Sequence, residues 1–181
     1  MLELVLAGLL LFSSVLLHEA GHWMLLRRYG VDVVRIGLGL GPDLLRIGKF
    51  RVGMLPIGAS VTPNPAQFEA LSPARRLWVA LAGPWMSAMY ATALLVAALA
   101  LPAGHARQGL VLLSNLNWLL AGVNLLPIPP LDGFRALEYW LELRRTPLSN
   151  RVRNVAYRLG NGLVFGFGFA AIGLALGRGY F

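Results

Sequence analysis

The chain has no cysteine. Disulfides and thiolate metal sites are therefore excluded, and any bound metal must be held by His, Asp or Glu. Charge is scarce too: Asp, Glu, Lys and Arg make up 13% of the 181 residues, while 57% are hydrophobic and the mean hydropathy is +0.64. Soluble domains carry about 25% charged residues, so this composition excludes an ordinary soluble domain and points to a membrane protein. Acidic residues are the scarcer sign, 8 against 16 basic, for a formal charge of +8. The bases sit in short polar segments between apolar runs. That is the pattern of cytoplasmic loops at an anionic leaflet, and it argues against a nucleic-acid partner. No base precedes Arg27, and Glu3 stands where a secretory signal would be basic, so the first apolar run is expected to be a retained helix.

That first run contains His18-Glu19-Ala20-Gly21-His22, preceded by an uncharged stretch from Leu4 to Leu17. Two histidines four apart share one face of a helix. Zinc accepts such a pair, and the glutamate between them is placed to act as a general base. Ionisable groups in a membrane segment are costly, and they are functional candidates by default. The apolar run itself, Leu4 to Leu26, is about 23 residues, long enough to span a bilayer with some tilt.

Downstream, residues 33–61 change texture into short β-branched runs split by Gly-Pro-Asp at 41–43 and by Gly48-Lys49. They predict two or three short strands, a small sheet at the membrane edge with Pro56 on an edge strand or strand end. Leu77 to Leu101 predicts a second span whose small residues, Ser87 and Ala88 among them, suit close helix packing. Gly109 to Leu126 predicts a third, which breaks at Asn124-Leu125-Leu126-Pro127-Ile128-Pro129-Pro130-Leu131-Asp132-Gly133 and continues to residue 143. Irregular backbone at membrane depth survives only when buried in protein or lining a wet cavity. Asp132 is therefore expected to cap the next helix, to bind the metal, or both. Residues 159–176 predict the last span, with Gly-x-x-x-Gly spacings at 162/166 and 173/177. The expected architecture is one domain over 1–181, an all-α membrane bundle of about four helices with a small β segment between the first two.

Residues 27–76 carry eight Lys and Arg and residues 142–158 carry five, against Arg107 and Arg178 on the other side. This asymmetry predicts both basic segments in the cytoplasm and both termini outside. His18 lies about 21 Å along the first helix from Leu4, toward the cytoplasmic side. The third span runs inward as well and brings Asp132 to a similar depth.

With these residues in place, the chain resembles the site-2 protease family of intramembrane zinc metalloproteases over almost its full length. His18-Glu19-Ala20-Gly21-His22 is similar to the family's first zinc motif, and Asn124 through Gly133 to its Asn-x-x-Pro-x-x-x-Leu-Asp-Gly element. Gly37-Leu38-Gly39 to Leu55-Pro56-Ile57-Gly58 resembles its membrane-associated β segment, and Leu81-Ala82-Gly83-Pro84 the start of its second core helix. Ser87 departs from the pattern, standing where many members have Asn, and no PDZ- or CBS-like module is expected. The resemblance implies one zinc ion per chain held by His18, His22 and Asp132, with Glu19 as the catalytic base. It also implies substrate contacts at Asn124, Pro127 and Met54, and single-span or signal-peptide-like membrane substrates cut within a bacterial inner membrane. A haem protein is disfavoured, because His18 and His22 share a face and the third histidine, His105, falls in a predicted turn. A membrane protein that binds client helices without cutting them is the alternative. For the predicted topology, a reporter active only in the cytoplasm, fused after Phe181, is expected to stay silent; strong activity there would invert the orientation and undo the depth agreement.

Overall fold

The N-terminal run contains no proline and forms one helix, α1 (Leu2–Arg28), in a computed structural model that describes residues 2–177. Two strands follow, β1 (Val33–Ile47) and β2 (Phe50–Pro63), paired antiparallel from Val33 opposite Pro63 to Ile47 opposite Phe50. Each is longer than the short runs expected from the sequence, because its glycines bend the strand without ending it. Gly39 and Gly41 adopt φ of 81° and 87°, open to glycine at little cost. The bend folds the hairpin onto itself: Ile36 lies opposite both Val61 and Phe50, so the first half of β1 runs between the two halves of β2. A short helix, α2 (Pro65–Glu69), is capped by Asn64, whose side chain accepts from Gln67 N at 3.3 Å.

The element that positions everything else is α3 (Pro73–Leu99), which packs against α1, against α4 (His105–Asn124) and against α5 (Asp132–Leu143). Its inward face is built from small residues, with Ala80, Gly83, Ser87, Ala91 and Ala98 all buried. Small residues let helix backbones approach closely, which is the means of association available when lipid removes the hydrophobic drive. On the facing helix Gly21 is just as tight, since a Cβ there would collide with the Ala82 carbonyl. Polar groups add directional contacts: Ser114 Oγ donates to Ala91 O at 2.8 Å, and Asn117 Nδ2 donates to Ser14 Oγ at 2.9 Å. An apolar cluster of Leu26, Val31, Val33, Leu71 and Val79 seals the junction of α1, β1 and α3.

Large side chains point outward instead: Trp85, Val96 and Leu99 on α3, Leu112 and Leu119 on α4, and Leu163 on α6 (Asn150–Gly177) are exposed. Among the described residues one helix, Pro73–Leu99, is long and apolar enough to cross a bilayer. Gly162 and Gly166 are exposed, with nothing near them that a Cβ would touch, so this spacing is not used for packing inside the chain. The surroundings of Gly173 and Gly177 lie outside the described side chains.

Between α4 and α5 the prolines interrupt the backbone, with a cis peptide at Pro129–Pro130. The expectation that Asp132 caps α5 is corrected here. Leu131 holds the cap position with no side-chain hydrogen bond, and Asp132 is the first helical residue. Its carboxylate is drawn to the histidines of α1 and is not folded back on its own amides. The turn is tight enough that a Cβ on Gly133 would collide with the carbonyls of Leu125 and Leu126. Gly133→Ala is therefore expected to lose about 1–3 kcal/mol from overpacking. A lower thermal midpoint in detergent checks this, and an unchanged midpoint would mean that the turn has slack.

Candidate metal centre

The helical repeat sets His18 and His22 on one face of α1, their ring centroids 5.1 Å apart. The start of α5 delivers Asp132 from the other side, its Oδ2 lying 3.0 Å from His18 Nε2 and 3.2 Å from His22 Nε2. His18 is 5% and Asp132 8% exposed. One candidate ligand atom from each of the three lies within 4.8 Å of the others.

The far side of the His22 ring fixes one proton. His22 Nδ1 is 2.7 Å from Val79 O, a carbonyl that only accepts, so Nδ1 carries a proton. Nε2 then faces the Asp132 carboxylate, as a lone pair open to a metal when the ring is neutral and as a second donor when it is protonated. His18 is braced as well, Nδ1 to Ser87 Oγ at 3.0 Å with Ser87 fully buried, a hydroxyl that can donate or accept. Two imidazole nitrogens and a carboxylate oxygen, without sulfur, suit zinc in an open, catalytic type of site, and partners behind the rings are what a metal-binding histidine needs to hold its tautomer. The residues present fit a zinc ion.

Glu19 lies beside the pair and lines the same cavity, its Oε2 accepting from Val61 N of β2 at 2.9 Å. The cavity is about 510 Å³. Its walls are the three metal-ligand candidates, the Gly58–Pro63 stretch of β2, Phe68, Asn124, Pro130, Leu131, Arg135 and Tyr139. The structure thus brings His18, Glu19, His22, Asp132 and Asn124 together. Asn124 keeps Nδ2 on its own helix, donating to Leu120 O at 2.9 Å. Met54 and Pro127 do not line the cavity; both are exposed, and the wall positions fall to Gly58–Pro63 and to Pro130-Leu131. The hairpin bend carries the second half of β2 to the site, and the proline turn presents its last residues.

Sequence reasoning missed the contribution of α3. Ser87 reads there as a small packing residue, and the Val79 carbonyl carries no sequence signal at all. The clue available was the spacing Gly83-x-x-x-Ser87, one helical face facing the histidine motif. Gly83 leaves no room: a Cβ there would meet His22 Nε2 and His18 Nε2 directly. Gly83→Ala is expected to reduce zinc content as strongly as His22→Ala does, measured by elemental analysis of purified protein. Full stoichiometric zinc in Gly83→Ala would mean that the rings can yield.

Comparison with known proteins gives the family. The model of peptidase family M50 matches residues 6–110 and 103–167. A zinc metalloprotease of Methanocaldococcus jannaschii is 32% identical over 131 residues, 72% of this chain and 32% of that protein. A Synechocystis sp. relative is 30% identical over 171 residues, 94% of this chain and 39% of its own length. The chain thus spans about a third of the length of the curated relatives it matches. Among solved structures, the site-2 protease from Methanocaldococcus jannaschii superimposes with a TM-score of 0.60 at 27% identity, covering 93% of this chain and 69% of that one. The fold is that of a site-2 protease, and the chain belongs to peptidase family M50.

Proposed function

We propose that this chain is an intramembrane zinc metalloprotease that hydrolyses peptide bonds in or near the transmembrane segments of single-span membrane proteins. The observation that carries the reading is the convergence of His18, His22 and Asp132 in one cavity with Glu19. Zinc, when bound, supplies the Lewis acidity that polarises a scissile carbonyl and acidifies a water. The remaining work falls to side chains. Glu19 follows His18 in sequence but projects about 100° around the helix, so it faces the cavity beside the ligands without joining them. There it takes the proton of the attacking water and returns it to the leaving amine. Val61 N holds one carboxylate oxygen at 2.9 Å, which fixes the orientation of the base. Asn124, at the cavity wall, is placed to bind the substrate backbone.

The same reading makes the helices a bundle of about four spans, with the two basic segments at a bacterial cytoplasmic face. Exposed apolar side chains on α3, α4 and α6 support it, since large contiguous apolar surface needs a lipid or protein cover. Glu19→Gln is expected to keep the fold and stoichiometric zinc, because the two side chains have nearly the same shape. It is expected to lower cleavage of a single-span substrate in detergent or liposomes by about 10²–10⁴-fold, the usual worth of a general base. Wild-type rates in a zinc-loaded Glu19→Gln protein would remove Glu19 from the mechanism. No cleavage of a broad set of membrane substrates by the wild type would favour a client-binding membrane protein instead.

A further inference from the structure

Three arginines surround α5, and two of them are already neutralised. Arg76 donates to Glu142 at 2.7 Å and stacks on the Tyr139 ring, and Arg153 pairs with Glu138 at 3.4 Å. Arg135 is different. It lines the metal cavity, and among the described residues no carboxylate lies within ion-pair distance of it. The Tyr157 hydroxyl lies near it and donates to Glu138 at 3.3 Å. Asp132, Arg135 and Tyr139 are spaced i, i+3 and i+7, so one face of α5 carries a metal ligand, a cation and an aromatic ring in succession into one cavity.

The charge balance of the cavity gives this arrangement a direction. With zinc present, its two positive charges are offset by Asp132 and Glu19, while Glu138, the acid nearest Arg135 on α5, is already shared with Arg153 and Tyr157. Arg135 is exposed at the cavity, so its planar fork is open to an incoming carboxylate, the partner that suits it. We propose that Arg135 is a specificity-determining residue that selects substrates carrying an acidic side chain close to the scissile bond. The inference rests on the protease reading above. Its range follows from helix geometry. Three residues along α5 are about 4.5 Å, and an extended peptide advances about 3.3 Å per residue. Allowing for the length of the arginine stem, the acidic residue falls two to three positions from the cut, on the side that follows α5 toward the basic 142–158 segment.

The test uses single-span substrates that differ only by Glu or Gln at each of the four positions on either side of the cut. Cleavage is measured in neutral detergent free of anionic lipid, so that no lipid phosphate can occupy the guanidinium. Wild-type protein is expected to prefer Glu over Gln by about tenfold in kcat/KM at one or two adjacent positions, the scale of a hydrogen bond to a charged group. Arg135→Gln should bring that ratio close to one, Arg135→Lys should keep part of it, and Arg135→Glu should reverse it in favour of Gln. A parallel arm measures binding of the same substrates to Glu19→Gln protein, which needs no turnover. Equal ratios at every position in the wild type overturn the proposal even if no Arg135 variant folds. A preference without Arg135 dependence overturns it as well. Cleavage without a Glu preference leaves the protease reading standing and removes Arg135, whereas a Glu preference in binding with no cleavage does the reverse.

Discussion

Val79 O fixes a proton on one side of the His22 ring, and the nitrogen on the other side then faces the Asp132 carboxylate at 3.2 Å. With the rings neutral, the centre therefore offers two ring lone pairs and a carboxylate oxygen that converge on one point. In water such groups would separate and solvate. Here His18 is held by α1, Asp132 by the first turn of α5, and neither can leave without unpacking a helix. A cation is what makes the cluster favourable, and that requirement links metal binding to the docking of α5 on the rest of the fold. It also explains why Asp132 does not cap its own helix. The carboxylate has a stronger partner across the cavity than the amides beneath it.

The cost of this convergence is carried by α3. For Asp132 to reach two rings on another helix, α3 must be small where it meets their Nε2 atoms and polar where it meets their Nδ1 atoms. Gly83 provides the room, and Ser87, one turn on, together with the Val79 carbonyl, one turn back, provides the hydrogen bonds. Pro84 sits at the same level and cannot donate a backbone hydrogen bond inside the helix. The small-residue face that joins membrane helices and the polar support that orients metal ligands are thus one stretch of sequence. A bulkier α3 would fail on both counts, through looser helix packing and through displaced ligands.

Much of this was legible in the amino-acid sequence, for identifiable reasons. The helical repeat alone puts His18 and His22 together with Glu19 beside them, and the place of Asp132 directly after the proline break, at a similar depth, marks it as the candidate third ligand. The proline break announces a cavity because backbone without hydrogen bonds cannot face lipid. The long strands were harder, since Gly-Pro-Asp at 41–43 reads as a chain break, whereas Gly39 and Gly41 act as bends within β1. Met54 falls outside the cavity wall for the same reason: without the bend, nothing in the pattern says that the second half of β2, and not its middle, lines the site. Ser87 was harder still. A serine among alanines on a packing face has no signature that separates a spacer from a ring support, and the distinction exists only once two helices are docked.

The site also limits how β2 can hold a peptide. Backbone groups of alternate residues point to the same edge of a strand, so Ala59 and Pro63 share with Val61 the edge that faces the cavity. The Val61 amide is taken by Glu19 at 2.9 Å, and Pro63 has no amide to give. Along this edge the donors available to a peptide reduce to Ala59, while the carbonyls remain. A bound chain would be held in register for only a residue or two by main-chain pairing, and its remaining hold must come from side chains that line the wall. Phe68, Tyr139 and Arg135 are the large groups there. On the reading proposed above, a sheet edge nearly spent on Glu19 makes side-chain recognition, Arg135 included, weigh more in the choice of substrate.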